Sequence, residues 1–135
     1  MVYRDCVLLS RRSPPSTVLV AEDNDDTREV YAEYLRYCEF EVTTAVDGND
    51  ALAKIRANPL VLDLTIPGLD GWSVARAVKA DVKTKAVRII AVTGQTMKGA
   101  RAAAEAAGVD AFLTKPCLPE DLVDEIAAQV RNRRA

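Results

Sequence analysis

The stretch Thr17-Val18-Leu19-Val20-Ala21-Glu22-Asp23-Asn24 carries a short apolar run straight into two carboxylates and an amide. An apolar run without alternation suits a strand buried on both faces, as in parallel sheets. The acidic pair then falls just past the strand's carboxyl end, and Asn24 is placed to cap a following helix. The same arrangement recurs along the chain. Leu60–Leu62 runs into Asp63, Ile89–Val92 into Thr93, and Ala111–Leu113 into Thr114-Lys115. The carboxyl ends of parallel strands share one edge of their sheet, so Glu22, Asp23, Asp63, Thr93 and Lys115 are expected to gather there.

Between these runs the pattern turns helical. Strands are predicted at Thr17–Ala21, Glu41–Ala45, Leu60–Leu64, Arg88–Val92 and Ala111–Leu113. Helices are predicted at about Asp26–Cys38, Asn49–Arg56, Trp72–Ala80, Lys98–Ala107 and Pro119–Arg131. In the first helix Val30, Tyr31, Tyr34, Leu35 and Cys38 form one stripe at helical spacing. In the last, Leu122, Val123, Ile126 and Val130 are expected to point inward, and Pro119 is tolerated at the first helical position. Gly108 is a helix stop. Strictly alternating strands and helices give an α/β fold: a doubly wound parallel sheet, flavodoxin-like, (βα)5, in strand order 2-1-3-4-5. Residues 1–16 read as a flexible leader ending at Ser13-Pro14-Pro15, residues 17–131 as one folded domain, and residues 132–135 as a basic tail.

Composition removes several functions. The net charge of −2 leaves no footprint for direct nucleic-acid binding. Arg131, Arg133 and Arg134 read as a solvated helix end whose charge suits the helix dipole. No apolar stretch reaches the roughly 18–20 residues of a membrane span. The chain has no histidine, which excludes Ser-His-Asp chemistry and histidine metal ligands, so any phosphohistidine must come from a partner. Cys6, Cys38 and Cys117 are odd in number and widely spaced, which predicts free thiols and a reducing, cytoplasmic setting.

Taken singly, each polar group has a plain structural use: Asp63 and Thr93 as turn residues, Asn24 as a cap, Lys115 as a surface lysine. Their common position at strand ends favours chemistry instead. Crowded carboxylates repel unless one takes a proton or a cation intervenes. Mg²⁺ prefers oxygen ligands and commonly binds one or two carboxylates plus phosphate. An aspartate beside such an ion can attack phosphorus and form an acyl phosphate. Lys115 can pair with a phosphoryl oxygen and Thr93 can donate a hydroxyl hydrogen bond to another.

The motifs VLVAEDN, LDLTIPGLDGW, AVTG and FLTKP together resemble the response-regulator receiver domain of two-component signalling, over about Thr17–Val130. The resemblance implies that Asp63 is the phosphoacceptor and that Thr93 and Lys115 are the hydroxyl and lysine that bind the phosphoryl group. It implies that Asp23, Asp63 and the main-chain carbonyl of Thr65 ligate Mg²⁺, with Glu22 holding metal-bound water. Phe112 matches the aromatic switch position, and the Lys115–Pro116 bond is expected to be cis. A sensor histidine kinase or a histidine phosphotransfer protein would be the donor. The face made by Lys98–Ala107, the Ala111–Leu113 strand and the last helix would then meet a downstream protein target.

The chain departs from the family between Gly48 and Asp63, where it is about three residues short. At up to about 3.3–3.6 Å per residue, the loss is expected to shorten the helix there and leave Asp63 in place. Two other functions fit less well. An aspartate-nucleophile phosphohydrolase wants a second Asp two residues on, where this chain has Thr65. A phosphorylation-independent binding module would have no use for the full set of polar residues. The expected role is therefore a switch and not an enzyme.

Overall fold

The computed structural model describes residues 17–55, 60–63, 71–93, 102, 105–114 and 117–134, with the main chain alone described at 60–63, 93 and 130–134. Strands β1 (Thr17–Ala21), β2 (Glu41–Ala45), β3 (Leu60–Asp63), β4 (Ile89–Thr93) and β5 (Ala111–Thr114) form one sheet in the order β2-β1-β3-β4-β5. Every neighbouring pair is parallel. This is the predicted doubly wound order. Its register is continuous: Ala45, Ala21, Leu62, Ala91 and Phe112 occupy one row across all five strands.

Helices α1 (Asp25–Tyr37), α2 (Gly48–Lys54), α3 (Gly71–Ala80) and α4 (Pro119–Arg134) cover the two faces. Successive strand residues point to opposite faces. Leu19, Ala21, Ile89 and Ala91 therefore pack with Ala51 of α2 and with Val74, Ala75 and Val78 of α3. Val18, Val20, Ile90 and Val92 pack with Tyr31 and Leu35 of α1 and with Leu122, Val123 and Ile126 of α4. The strand residues in these clusters are essentially inaccessible to water. Burying each Val, Leu or Ile side chain contributes about 1.5–3 kcal/mol, which explains why the strands read as continuous apolar runs.

The helices differ from expectation at their edges. Asn24 caps α1 by accepting the Thr27 N–H at 2.9 Å. The buried stripe of α1 runs through Tyr31, Leu35 and Cys38, whereas Val30 is 52% exposed. Val30 precedes Tyr31 by one residue and so lies about 100° around the helix from it, outside the core-facing arc. The C-terminus closes on Glu39 at φ 70°, with Phe40 N–H to Leu35 O and Glu39 N–H to Arg36 O, the bond pair of a Schellman motif.

Helix α2 is short, as predicted, and stops at Lys54 rather than Arg56. The register of β3 is fixed by ladders on both sides. The helix predicted at Lys98–Ala107 lies mostly outside the described residues, though Ala102, Glu105 and Ala106 are helical. Helix α4 continues to Arg134, so the arginines expected in a tail extend the helix. The leader, residues 1–16, lies outside the described residues.

Cys38 is disulfide-bonded, which corrects the expectation of free thiols throughout; Cys117 is free. Disulfide pairing depends on Cα separation in space, which odd count and wide sequence spacing do not reveal. At the amino edge of the sheet, Asp110 accepts the Ile89 N–H at 2.8 Å, Lys79 Nζ at 2.9 Å and Arg88 Nη1 at 3.3 Å. That cluster locks α3, β4 and the entry to β5 together.

Candidate functional site

The site forms at the carboxyl edge because the register aligns the strand ends. Ala21 pairs with Leu62, so Glu22 and Asp63, each the next residue, follow at neighbouring positions. Adjacent strands lie about 4.8 Å apart, which makes the main chains of these two residues close neighbours. Asp63 in turn pairs with Val92, and Thr93 pairs with Thr114. The ends of β1, β3, β4 and β5 are therefore contiguous in the order that the four sequence runs required.

Glu22 is 2% exposed although it is acidic. Its main-chain N–H extends the ladder to Ala45 O at 3.1 Å. Its Oε2 accepts the Asn24 N–H at 3.2 Å. Its main-chain carbonyl accepts Arg28 Nη1 at 3.1 Å, and Arg28 also pairs with Asp25. Buried charge is costly unless it is hydrogen-bonded or paired, and these contacts show how the strand end holds Glu22. Asp23 beside it is exposed, as a group that meets solvent ions should be.

Thr93 closes β4, and Phe112 lies in β5 opposite Ala91. Phe112 is half-buried against the same core cluster as Val78 and Ala91. Thr65, Lys115 and the Lys115–Pro116 bond lie outside the described residues. Of the expected magnesium ligands, the structure describes the side chains of Glu22 and Asp23 and the main chain of Asp63. No cluster of three or more metal-binding side chains forms among the described residues. The donor chemistry nonetheless fits a hard cation: two consecutive carboxylates at one strand end, with a third carboxylate-bearing residue one strand away.

Sequence reasoning missed two contacts that shape this edge. Arg28 grips the Glu22 carbonyl, and Tyr31 Oη donates to the Cys117 carbonyl at 3.1 Å. Tyr31 was legible only as a core residue. Burial pushes the neighbouring Tyr34 phenol above its ordinary value, and the carboxylates of Glu120 and Asp124 add to this, which marks the seam where α1 meets α4. Beside β5, a groove of about 470 Å³ is lined by Leu113, Thr114, Cys117, Asp121, Asp124 and Glu125.

Comparison with known proteins points the same way. A family model described as the response regulator receiver domain matches residues 18–127. The transcriptional regulatory protein PrrA of Mycobacterium leprae is 36% identical over 121 residues, which is 87% of this chain and 51% of that protein. The chain thus spans about half the length of that relative. Protein PilG of Pseudomonas aeruginosa is 30% identical over 125 residues, covering 90% of this chain and 93% of PilG. The chemotaxis response regulator CheY4 of Vibrio cholerae superposes with a TM-score of 0.80 at 28% identity, over 86% of this chain and 99% of that one. The receiver domain of a Pseudomonas aeruginosa sensor histidine kinase, whose structure holds magnesium in its active-site cleft, gives a TM-score of 0.79 at 28% identity, over 87% of this chain and 99% of that one.

Proposed function

Because this chain belongs to the response-regulator receiver-domain family of two-component signalling, we propose that Asp63 accepts a phosphoryl group from the phosphohistidine of a sensor histidine kinase or a histidine phosphotransfer protein. The observation that supports this reading is the pairing of Ala21 with Leu62, the residues that immediately precede Glu22 and Asp63, at the carboxyl edge. In the transfer a carboxylate oxygen of Asp63 forms a bond to phosphorus as the phosphorus–nitrogen bond breaks, and the imidazole leaves. Positioning and charge stabilisation account for most of the acceleration in such transfers.

Glu22, Asp23, Asp63 and the main-chain carbonyl of Thr65 would hold Mg²⁺, with Glu22 acting through a bound water. When bound, the ion neutralises charge that would otherwise keep a carboxylate and a phosphoryl group apart. Lys115 supplies a second positive charge to a phosphoryl oxygen, and Thr93 donates a hydroxyl hydrogen bond to another. The product carries about 1.5–2 added negative charges at neutral pH.

Thr93 then moves toward the phosphoryl group, and Phe112, which is half-buried against the core cluster, follows into the space. This is a population shift between two packings. It alters the face formed by segment 98–107, β5 and α4, where the groove beside Cys117 would receive a downstream protein. The chain acts as a switch and not as an enzyme, without direct nucleic-acid or membrane binding. A cytoplasmic location rests on the family, since the Cys38 disulfide removes the argument from free cysteines. No helix among the described residues is long and apolar enough to cross a membrane.

The test is incubation with Mg²⁺ and a small acyl-phosphate donor. An acid-stable, base-labile adduct on the wild-type chain, absent from Asp63→Asn, is the expected result. Rapid turnover of many phosphate esters would favour a phosphohydrolase instead. An unlabelled wild-type chain would leave a phosphorylation-independent binding module.

A further inference from the structure

The connection between α3 and β4, residues 81–88, is a turn held in shape by its own hydrogen bonds. The Asp81 carbonyl accepts the Thr84 and Lys85 N–H groups at 3.0 and 2.8 Å, and its Oδ1 accepts the Lys83 N–H at 2.9 Å. Thr84 Oγ1 donates to the Val78 carbonyl at 2.7 Å, which ties the turn back to α3. Within this turn Val82 is 78% exposed, more than any other large hydrophobic residue among those described. Lys83 and Lys85 beside it are exposed too. Lys79 and Arg88 are engaged by Asp110, whereas no carboxylate among the described residues pairs with Lys83 or Lys85. The turn thus offers water an apolar side chain flanked by two unpaired positive charges.

The groove beside β5 has the matching chemistry. Leu113 and Ala128 give it apolar lining, and Asp121, Asp124 and Glu125 give it negative charge, in a volume of about 470 Å³. Leu118, next in sequence to Cys117 of the groove, is 61% exposed. Asp121 and Asp124 are exposed and pair with no cation among the described residues. Complementary charge of this kind steers encounter and fixes orientation, while apolar contact supplies affinity.

The two surfaces cannot meet within one molecule. The turn precedes β4 and lies at the amino edge of the sheet, whereas Leu113 and Thr114 lie at the carboxyl end of β5. The five residues of β4 separate those edges by roughly 13 Å, at about 3.3 Å per residue. The turn also leaves α3, which covers one face of the sheet, while α4 covers the other. A second molecule has no such constraint.

We propose that copies of this chain associate head to tail, the turn 81–85 of one copy seating Val82 and its two lysines in the acidic groove of the next. Each contact joins unlike surfaces, so every pair leaves one turn and one groove open for further copies. A downstream protein that enters the groove displaces the turn.

The experiment is sedimentation velocity on the full chain over a wide range of concentration. At low salt the average mass of wild type should rise with concentration, and at about 1 M salt, where the Debye length is about 3 Å, association should weaken. Lys83→Glu with Lys85→Glu, and separately Asp121→Lys with Asp124→Lys, should each give a monomer. All four positions are exposed, which keeps the core intact. An equimolar mixture of the two variants should associate again, because each turn then meets a groove of opposite sign. Val82→Asn, in wild type or in both members of the mixture, should weaken association about tenfold, the loss expected when one apolar side chain stays in water. A wild type that is monomeric throughout would overturn the proposal. So would a variant pair that stays monomeric when mixed, a charge-reversed variant that associates alone like wild type, or an unchanged affinity in Val82→Asn.

Discussion

At the scale of single residues, backbone geometry decides which positions tolerate change. Gly108 has φ +93°, and a Cβ built there would lie 2.7 Å from Lys79 Cγ. Its N–H donates to Glu105 O at 3.0 Å and ends the preceding helical turn. Gly108→Ala is expected to destabilise the fold by about 1–3 kcal/mol. Part of that loss would come from displacing Lys79, which holds Asp110 and the Val87 carbonyl. Denaturant unfolding at pH 7 would measure it, and an unchanged midpoint would refute the assignment. The sequence marks Gly108 as a helix stop, but the lysine above it belongs to a helix nearly thirty residues earlier, and only the folded chain brings the two together. The same limit applies to Tyr31, which reads as a core residue until the carbonyl of Cys117 is placed beside it.

Individual elements show how local chemistry compensates for a short chain. Helix α2 spans only seven residues, well below the length at which an isolated helix persists in water. It is held by its ends. Asp47 accepts the Asp50 N–H at 2.8 Å, while Asp50 Oδ2 accepts the Val46 N–H and Lys54 Nζ, both at 3.1 Å. These bonds, chiefly the one from Val46, hold the Asp50 carboxyl below the usual carboxylate range. The fold therefore favours the charged form. Its contribution to stability is complete above the ordinary value near 4 and is lost as pH falls through the lower folded value. Asp50→Asn should lower the thermal midpoint at pH 7, and its gap from wild type should narrow as pH falls below about 4. Melting curves across that range would check it; a gap independent of pH would show that the charge is irrelevant. The shortening of α2 was foreseeable from the three or so residues missing between Gly48 and Asp63, whereas the bonds that hold its ends came only with the fold.

For the molecule as a whole, magnesium binding and stability are linked. An ion held only by the folded chain raises stability by about 2.7 kcal/mol at a hundredfold excess over its dissociation constant. A melt with and without Mg²⁺ should therefore show an upward shift in wild type that is largely lost in Asp23→Asn. Asp23 is exposed, so that variant should keep its ion-free midpoint. No shift in wild type would argue against the ion site. The sequence by itself determined the class of fold, the strand order and the strand ends that carry Glu22, Asp23, Asp63 and Thr93, because strands buried in a parallel sheet must be apolar and polar residues fall at their ends. It misjudged Val30, which only helix rotation against a particular neighbour exposes, and Cys38, whose pairing depends on proximity in space. Tertiary structure alone decided that α1 would clasp the carbonyls of Glu22 and Cys117. A hydrogen bond from a side chain to distant main chain leaves no periodicity, no composition and no spacing behind it in the sequence; it exists only once packing has brought the two segments within about 3 Å.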